Sequence, residues 1–178
     1  MENVIFIDVD TQYSFMHRDG RFYVPNAEDI ITNLEKLSKF AHVKNIPVIA
    51  TIDVHKGHDI EIELSNSSQN SIEIIKGFEK IKETNSLNSI IIEKTQHNPF
   101  SNSKLSELLK GKTTAYVYGV ATEFCIQATV LELLKRGIET FVVEDAIKSV
   151  SEKSGKVSMY LMRAKGAKFI ITESLLKS

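Results

Sequence analysis

The chain has 178 residues, of which 42% are apolar and 25% charged, and its formal net charge is −1. This length and composition are typical of one globular domain, which we expect to span residues 1–178. The charge balance argues against a nucleic-acid or membrane surface, and no apolar run is long enough to cross a bilayer. Because the N-terminus lacks the pattern of a secretory signal, we expect a cytoplasmic protein. The single cysteine, Cys125, excludes an internal disulfide and a multi-cysteine metal site.

Short apolar runs alternate with stretches of helical periodicity along the chain. Strands are predicted at residues 4–8, 47–52, 89–92, 115–120, 140–143 and 168–172. Helices are predicted at residues 27–45, 122–136 and 151–165. Strands that are apolar throughout and alternate with helices are typical of a parallel sheet covered on both faces. The sequence therefore predicts an α/β protein with a three-layer, Rossmann-like fold and a six-stranded, mainly parallel sheet.

Polar or reactive side chains follow five of the six predicted strands. In parallel sheets, ligands bind beyond the carboxyl ends of the strands, so these side chains are expected to meet at one edge. They are Asp8 and Asp10, Asp53 and His55, Glu93 and Lys94, residues 121–125, and Glu144 and Asp145. This repeated placement predicts an active site at that edge.

Three of these residues can cooperate in nucleophilic catalysis. Cys125 is predicted in the first turn of a helix, where free amides stabilise a thiolate and can receive an oxyanion. Asp10 can accept the thiol proton, and Lys94 can hold neighbouring anions and bind developing negative charge. Each residue also has an ordinary structural interpretation: a small buried side chain, a turn residue and a solvated lysine, respectively.

A second group of residues has the chemistry of a metal site. Asp53, His55 and His58 offer carboxylate and imidazole ligands that suit zinc, iron or manganese. Histidine pairs are also common in polar loops, so this signal is weak alone. The same region contains a small, polar segment at residues 65–71, which is either a lid or an ordinary surface loop.

Several motifs resemble those of the isochorismatase-like cysteine hydrolases, in particular the nicotinamidase-related branch. Residues 7–16, IDVDTQYSFM, resemble the D-x-Q-x-D-F opening of that family, with Asp10 at the position of its catalytic Asp. Residues 119–126, GVATEFCI, resemble its G-V-A-T-[DE]-x-C-V element, and Glu93-Lys94 resembles its lysine segment. The likeness covers nearly the whole chain in order.

This resemblance implies a hydrolase with a catalytic triad of Asp10, Lys94 and Cys125. It implies a thioester intermediate, a small amide substrate cleaved at a C–N bond, no organic cofactor, and a homo-oligomer such as a dimer or tetramer. It also implies a cis peptide between Val120 and Ala121, which would turn the amides of Ala121 and Cys125 toward one oxyanion.

The substrate pocket is expected to include Phe15 and Phe100, which suits a small planar or apolar group beside the cleavable amide. The chain departs from the family pattern at Ser14, where an Asp is frequent, and at Glu73, where nicotinamidases have a metal-binding His. The metal hypothesis is therefore one divalent ion held by Asp53 and His55 with help from Glu73 or His58. A metal-independent isochorismatase-type or carbamoyl-amide hydrolase is the alternative within the family.

Two further alternatives come from other classes. The Asp8-Val9-Asp10-Thr11 segment imitates the opening of haloacid-dehalogenase phosphatases, which would need Mg²⁺ and a later acidic pair such as Glu144-Asp145. A non-catalytic relative that only binds a ligand is the other alternative, and it would leave Cys125 unreactive.

Overall fold

The computed structural model describes residues 3–54, 77–85 and 89–177. Within these residues a six-stranded sheet has the order β3-β2-β1-β4-β5-β6, and every adjacent pair is parallel. The strands are β1 Val4–Val9, β2 Val48–Asp53, β3 Ser89–Lys94, β4 Thr114–Val120, β5 Glu139–Lys148 and β6 Lys168–Ile170. The predicted fold class is confirmed.

Helices connect these strands. They are α1 Tyr13–Met16, α2 Ile31–Val43, α3 Ser103–Leu108, α4 Gln127–Lys135, α5 Glu152–Ala164 and α6 Thr172–Leu176. Two short 3-10 turns lie at Ala27–Ile30 and Pro99–Ser101, and a π-helical turn at Thr122–Ile126 precedes α4. In the part of the chain that the structure describes, none of the helices could span a membrane.

Two hydrophobic cores lie on opposite faces of the sheet because successive side chains of a strand point to opposite sides. On β1, Ile5 and Ile7 join the core that includes residues of α3, α4 and α5. Phe6, between them, joins the core formed with α2 and α6. Both faces of β1 therefore pack against apolar side chains, which explains why apolar and polar residues do not alternate along most of its sequence.

The structure corrects the predicted position of Glu144 and Asp145. Strand β5 continues through the residues predicted to follow it, so Glu144 and Asp145 lie within the strand. Glu144 forms an ion pair with Arg163 at 2.9 Å, and Asp145 Oδ1 accepts hydrogen bonds from the backbone and hydroxyl of Thr172 at the start of α6. The acidic pair that the phosphatase alternative requires is therefore engaged in other contacts.

A close approach between β1 and β4 positions the two segments that carry the predicted proton acceptor and nucleophile. Gly119 has a φ of 116°, and a Cβ atom there would lie 2.1 Å from the carbonyl oxygen of Val9. Only glycine fits both the backbone conformation and the contact. The ends of β1 and β4 therefore lie directly beside each other, with Asp10 and Cys125 just beyond them.

Candidate active site

The ends of β1, β2 and β3 meet the turn after β4 around one ammonium group. Lys94 Nζ lies 2.9 Å from Asp10 Oδ2, 2.8 Å from Asp53 Oδ2 and 3.3 Å from Cys125 Sγ. All four side chains are buried. The structure thus brings together the three predicted catalytic residues and adds a second carboxylate.

The carboxylate of Asp10 is held by β2. The hydroxyl of Thr51 donates to Asp10 Oδ1 at 2.6 Å, and the Asp10 amide donates to both the hydroxyl and the carbonyl of Thr51 at 3.2 Å. Asp10 Oδ2 has no hydrogen-bond partner among the described residues, although it forms an ion pair with Lys94. One oxygen is therefore fixed, and the other keeps a lone pair that can accept a proton.

Asp10 also has an unusual backbone conformation, with a φ of 52°. The left-handed region costs a residue other than glycine roughly 1 kcal/mol or more, although Asp and Asn tolerate it better than most. The hydrogen bonds with Thr51 hold the residue in this conformation, and as a result its side chain faces the cluster.

Charge and burial act together on the two ionisable partners of Asp10. Burial alone lowers the pKa of the Lys94 ammonium, but its three acidic neighbours outweigh burial and leave that pKa above its usual value. Burial raises the pKa of the Cys125 thiol; the Asp10 charge adds to this effect, and Lys94 opposes it without reversing it. The resting cluster therefore combines a charged lysine with a protonated thiol.

The turn that carries Cys125 differs from the predicted helix start. Residues Thr122–Ile126 form one π-helical turn, in which the Ile126 amide donates to the carbonyl of Ala121 at 3.2 Å. Such turns carry one extra residue and are frequent at functional sites. The peptide bond between Val120 and Ala121 is cis, as the resemblance implied.

Asp53 is tied to the Asp10 loop through Gln12. The Gln12 side chain accepts from the Asp53 amide at 2.8 Å and donates to the Asp53 carbonyl at 3.1 Å. Gln12 therefore fixes the backbone of Asp53 while the carboxylate reaches Lys94. The other predicted metal ligands, His55, His58 and Glu73, lie outside the described residues, as does the polar segment at residues 65–71.

The two predicted pocket aromatics lie in different places. Phe15 is half-buried, packs against the α2-side core and lies 5.9 Å from the ring of Phe22. Phe100 packs against the opposite core with its ring 3.8 Å from the Arg136 guanidinium, which also bonds to Glu132. Phe100 packs against the same hydrophobic core that contains Cys125, and its place in the substrate pocket stays a prediction.

A histidine that was not predicted lies beside the thiol. His97 Nδ1 is 3.6 Å from Cys125 Sγ, and the imidazole stacks on Phe124 with ring centroids 5.2 Å apart. Donor atoms of Asp53, His97 and Cys125 all lie within 4.8 Å of one another. The position of His97, three residues after Lys94 at the active edge of the sheet, was a signal that could have identified it.

A second buried ion pair lies beneath the Asp10 loop. Lys80 Nζ is 2.7 Å from Asp8 Oδ2, and both side chains are only 2% exposed. The hydroxyl of Thr11 donates to Asp8 Oδ1 at 2.7 Å and accepts from Lys80 at 2.6 Å. The Ile81 amide also donates to the Thr11 carbonyl at 3.0 Å. Asp8 therefore anchors residues 77–85 to the loop that carries Asp10, which corrects its placement in the active site.

The fold and the cluster define a three-layer α/β protein with a buried Asp–Lys–Cys group at the carboxyl edge of its parallel sheet. The family model described as the isochorismatase domain matches residues 4–174. The chain therefore belongs to the isochorismatase family of hydrolases.

Relatives and solved structures agree with this membership. The chain is 27% identical over 170 residues to isochorismatase family protein 2A of Dictyostelium discoideum, and the alignment covers 94% of this chain and 77% of the relative. It is similar to the structure of a pyrazinamidase of Pyrococcus horikoshii in complex with zinc, with 25% identity and a TM-score of 0.81. That alignment covers 95% of this chain and 99% of the other.

A third similar protein is N-carbamoylsarcosine amidase from Thermoplasma acidophilum. Its structure shares 25% identity and a TM-score of 0.77 with this chain, and the alignment covers 96% of both. The two structural relatives therefore carry names that belong to two different amide-cleaving activities.

Proposed function

We propose that this protein is a cysteine-dependent hydrolase that cleaves the C–N bond of a small amide through a thioester. One observation carries the proposal: Lys94 Nζ lies within 3.3 Å of both Asp10 Oδ2 and Cys125 Sγ in a buried cluster. An acid–base group, a cation and a nucleophile in mutual contact are what acyl transfer to a thiol needs. The amidase names of the two structural relatives support the same reaction class.

The first half of the reaction starts from the protonated thiol. Asp10 Oδ2 accepts the thiol proton as Cys125 Sγ attacks the substrate carbonyl carbon. The charged Lys94 stabilises the nascent thiolate, and its position suits stabilisation of developing negative charge. In this proposal, the amides of Ala121 and Cys125 receive the oxyanion. Asp10 then returns the proton to the departing nitrogen, the C–N bond breaks, and a thioester remains.

The second half of the reaction regenerates the enzyme. Asp10 takes a proton from water, whose oxygen attacks the thioester carbonyl. The C–S bond breaks, and the proton held by Asp10 returns to the sulfur of Cys125. The products are a carboxylic acid and ammonia or an amine, so each proton that Asp10 takes is given back within one turnover.

A divalent metal ion remains part of the proposal. Asp53 fits the role of one ligand because carboxylate oxygens bind divalent ions and Asp53 lies at the carboxyl end of β2. His55 with Glu73 or His58 would complete the set. Such an ion, when bound, would anchor a substrate ring nitrogen or a water molecule rather than create the nucleophile. Phe15 is proposed to contact the planar part of the substrate.

The similarity to N-carbamoylsarcosine amidase favours a second candidate within the same mechanism, a hydrolase of carbamoyl amides. The reaction products distinguish the two candidates. A carbamoyl group released as carbamate decomposes to carbon dioxide and ammonia, whereas a simple amide gives no carbon dioxide. A metal-independent isochorismatase-type reaction would release no ammonia. We further propose a cytoplasmic homo-oligomer, a dimer or tetramer, whose mass in solution can be measured by light scattering.

A screen of small amides and carbamoyl amides tests the function. Ammonia and carbon dioxide are measured as products, and metal content is determined on the same sample. With the best substrate, rapid quenching and mass spectrometry should find the acyl group on Cys125, and Cys125→Ala should be inactive while its circular dichroism matches the wild type. Undiminished turnover by Cys125→Ala would refute the proposed nucleophile.

A further inference from the structure

Three side chains with different ligand chemistry face each other at the cluster. Carboxylate, imidazole and thiol donors from Asp53, His97 and Cys125 all lie within 4.8 Å of one another. We propose that these residues form a binding site for Zn²⁺ that captures the sulfur of Cys125 and so inhibits the enzyme. Binding itself is independent of the reaction; the inhibition rests on the proposed function.

The separation of two of the donors fits a zinc ion. Zinc binds thiolate sulfur at about 2.3 Å and imidazole nitrogen at about 2.0–2.1 Å, so two such ligands at a tetrahedral angle lie about 3.5 Å apart. The distance between Cys125 Sγ and His97 Nδ1 is 3.6 Å. These two donors therefore already stand at ligand spacing, and the Asp53 carboxylate needs only a small side-chain movement to join them.

Binding of Zn²⁺ at this site exchanges the thiol proton for a divalent ion. Two carboxylates, one ammonium and a neutral thiol leave the buried group with a net charge of −1. When Zn²⁺ binds, the thiol proton leaves to solvent as the S–H bond is replaced by a Zn–S bond. The cluster then gains two positive charges, loses one and becomes neutral.

Lys94 limits the affinity of this site. Its Nζ lies 3.3 Å from Cys125 Sγ and 2.8 Å from Asp53 Oδ2, so the ammonium and the metal ion compete for the same two groups. We therefore expect weaker binding than in a structural zinc site, where all ligands are free of competing cations. A reversible inhibitory ion fits this balance better than a permanent one.

The site opens to solvent on the side of His97. His97 is exposed, and its stacking partner Phe124 is 45% exposed. A metal ion can therefore arrive past the imidazole, and water can complete its coordination. This donor set differs from the predicted set of Asp53, His55 and Glu73 because it includes the nucleophile itself, so zinc bound there blocks attack on the substrate.

Titration of metal-free protein with Co²⁺ tests the site without any substrate. Cobalt replaces zinc in thiolate sites and gives a sulfur-to-cobalt charge-transfer absorption that reports a Co–S bond directly. We expect one equivalent of Co²⁺ to produce this absorption in the wild type and Zn²⁺ to abolish it. His97→Ala should weaken Co²⁺ binding at least about tenfold, and Cys125→Ser should remove the absorption.

Two matched histidine variants separate the alternatives. His42→Ala changes an exposed histidine in the last turn of α2 and should leave the titration unchanged. His55→Ala should retain the charge-transfer absorption, because His55 is not a ligand of this site. The proposal is overturned if no charge-transfer absorption appears, if His97→Ala binds as tightly as the wild type, or if the absorption is lost in His55→Ala.

Alkylation provides a second readout. Zn²⁺ should slow the reaction of Cys125 with iodoacetamide in the wild type, and much higher Zn²⁺ should be needed in His97→Ala. Equal protection of both proteins would contradict the site. Because neither measurement uses a substrate, failure of the metal site and failure of the proposed amidase activity are separate results.

Discussion

Lys94 Nζ and Asp10 Oδ2 lie 2.9 Å apart, and neither side chain is more than 1% exposed. Burial of such a pair costs desolvation energy that an apolar pair of similar volume would not cost. Stability alone therefore gives little reason for a charged pair at this place. The same ammonium also contacts Cys125 Sγ at 3.3 Å. The charged pair is therefore placed to act on the ionisation of that thiol.

Lys94→Met should lower both activity and stability. The methionine leaves two buried carboxylates without their cation, which should reduce the unfolding free energy by about 3–5 kcal/mol. Chemical denaturation at pH 7 measures the loss. Lys110→Met, at an exposed position, is the matched control and should change the unfolding free energy by less than about 0.5 kcal/mol. A stable, active Lys94→Met protein would contradict the role of Lys94.

Asp10→Asn should reduce kcat by about 10²–10⁴-fold, the range for loss of a general acid–base group. The amide keeps the shape of the carboxylate but cannot accept the thiol proton. In the double variant Asp10→Asn/Lys94→Met, kcat should be little lower than in either single variant, because residues that act as a unit are not additive. Steady-state kinetics on the substrate found in the amide screen measures all three. Losses that multiply in the double variant would show that the two residues act independently.

Alkylation of Cys125 should depend on pH in a way that identifies its neighbours. Burial raises the thiol pKa first and the Asp10 charge raises it further, so wild-type protein should react slowly at neutral pH and faster as pH rises. Asp10→Asn removes an effect that raises the pKa, so its thiol should react faster than the wild type at neutral pH. Lys94→Met removes the opposing effect and should react more slowly. Equal rates in all three proteins would exclude electrostatic coupling.

The raised pKa values also predict how stability depends on pH. Both Cys125 and Lys94 hold their protons more tightly in the folded than in the unfolded state. Their contributions are therefore fully present below the unfolded pKa values, about 8.5 for cysteine and about 10.4 for lysine, and are lost as pH rises above them. The unfolding free energy should fall from pH 8 to 10, and Cys125→Ala should show a shallower fall.

The strand-end pattern was sufficient to predict most of the cluster. Apolar runs identified all six strands, and the rule that ligands bind beyond parallel strands brought Asp10, Lys94 and Cys125 to one edge. Helical spacing could not distinguish an α-helical from a π-helical start at residues 122–126, because one extra residue per turn leaves the apolar stripe of α4 unchanged.

Contacts that depend on loop direction could not be predicted. The position of His97 after β3 indicates that it lies at this edge, but its contact with Cys125 accompanies stacking on Phe124, which the local sequence does not specify. The contact of Phe100 with the Arg136 guanidinium depends in the same way on the 3-10 turn at Pro99–Ser101, and the sequence pattern does not specify it. Lys80 was missed because an isolated lysine in a polar segment is expected to be solvated.

The buried pair of Lys80 and Asp8 leads to the last prediction. Lys80→Met leaves the Asp8 carboxylate buried with only the Thr11 hydroxyl as a described polar partner, so the unfolding free energy should fall by about 3–5 kcal/mol. The double variant Lys80→Met/Asp8→Leu removes both charges and should recover most of that loss, because no buried charge is then left without its partner. Lys82→Met, two residues away and highly exposed, is the matched control. Denaturant unfolding of the four proteins measures these differences. If the double variant is no more stable than Lys80→Met, the ion pair itself is required, and the loop that carries Asp10 depends on it. In that case, kcat of the double variant reports how far the loop has moved.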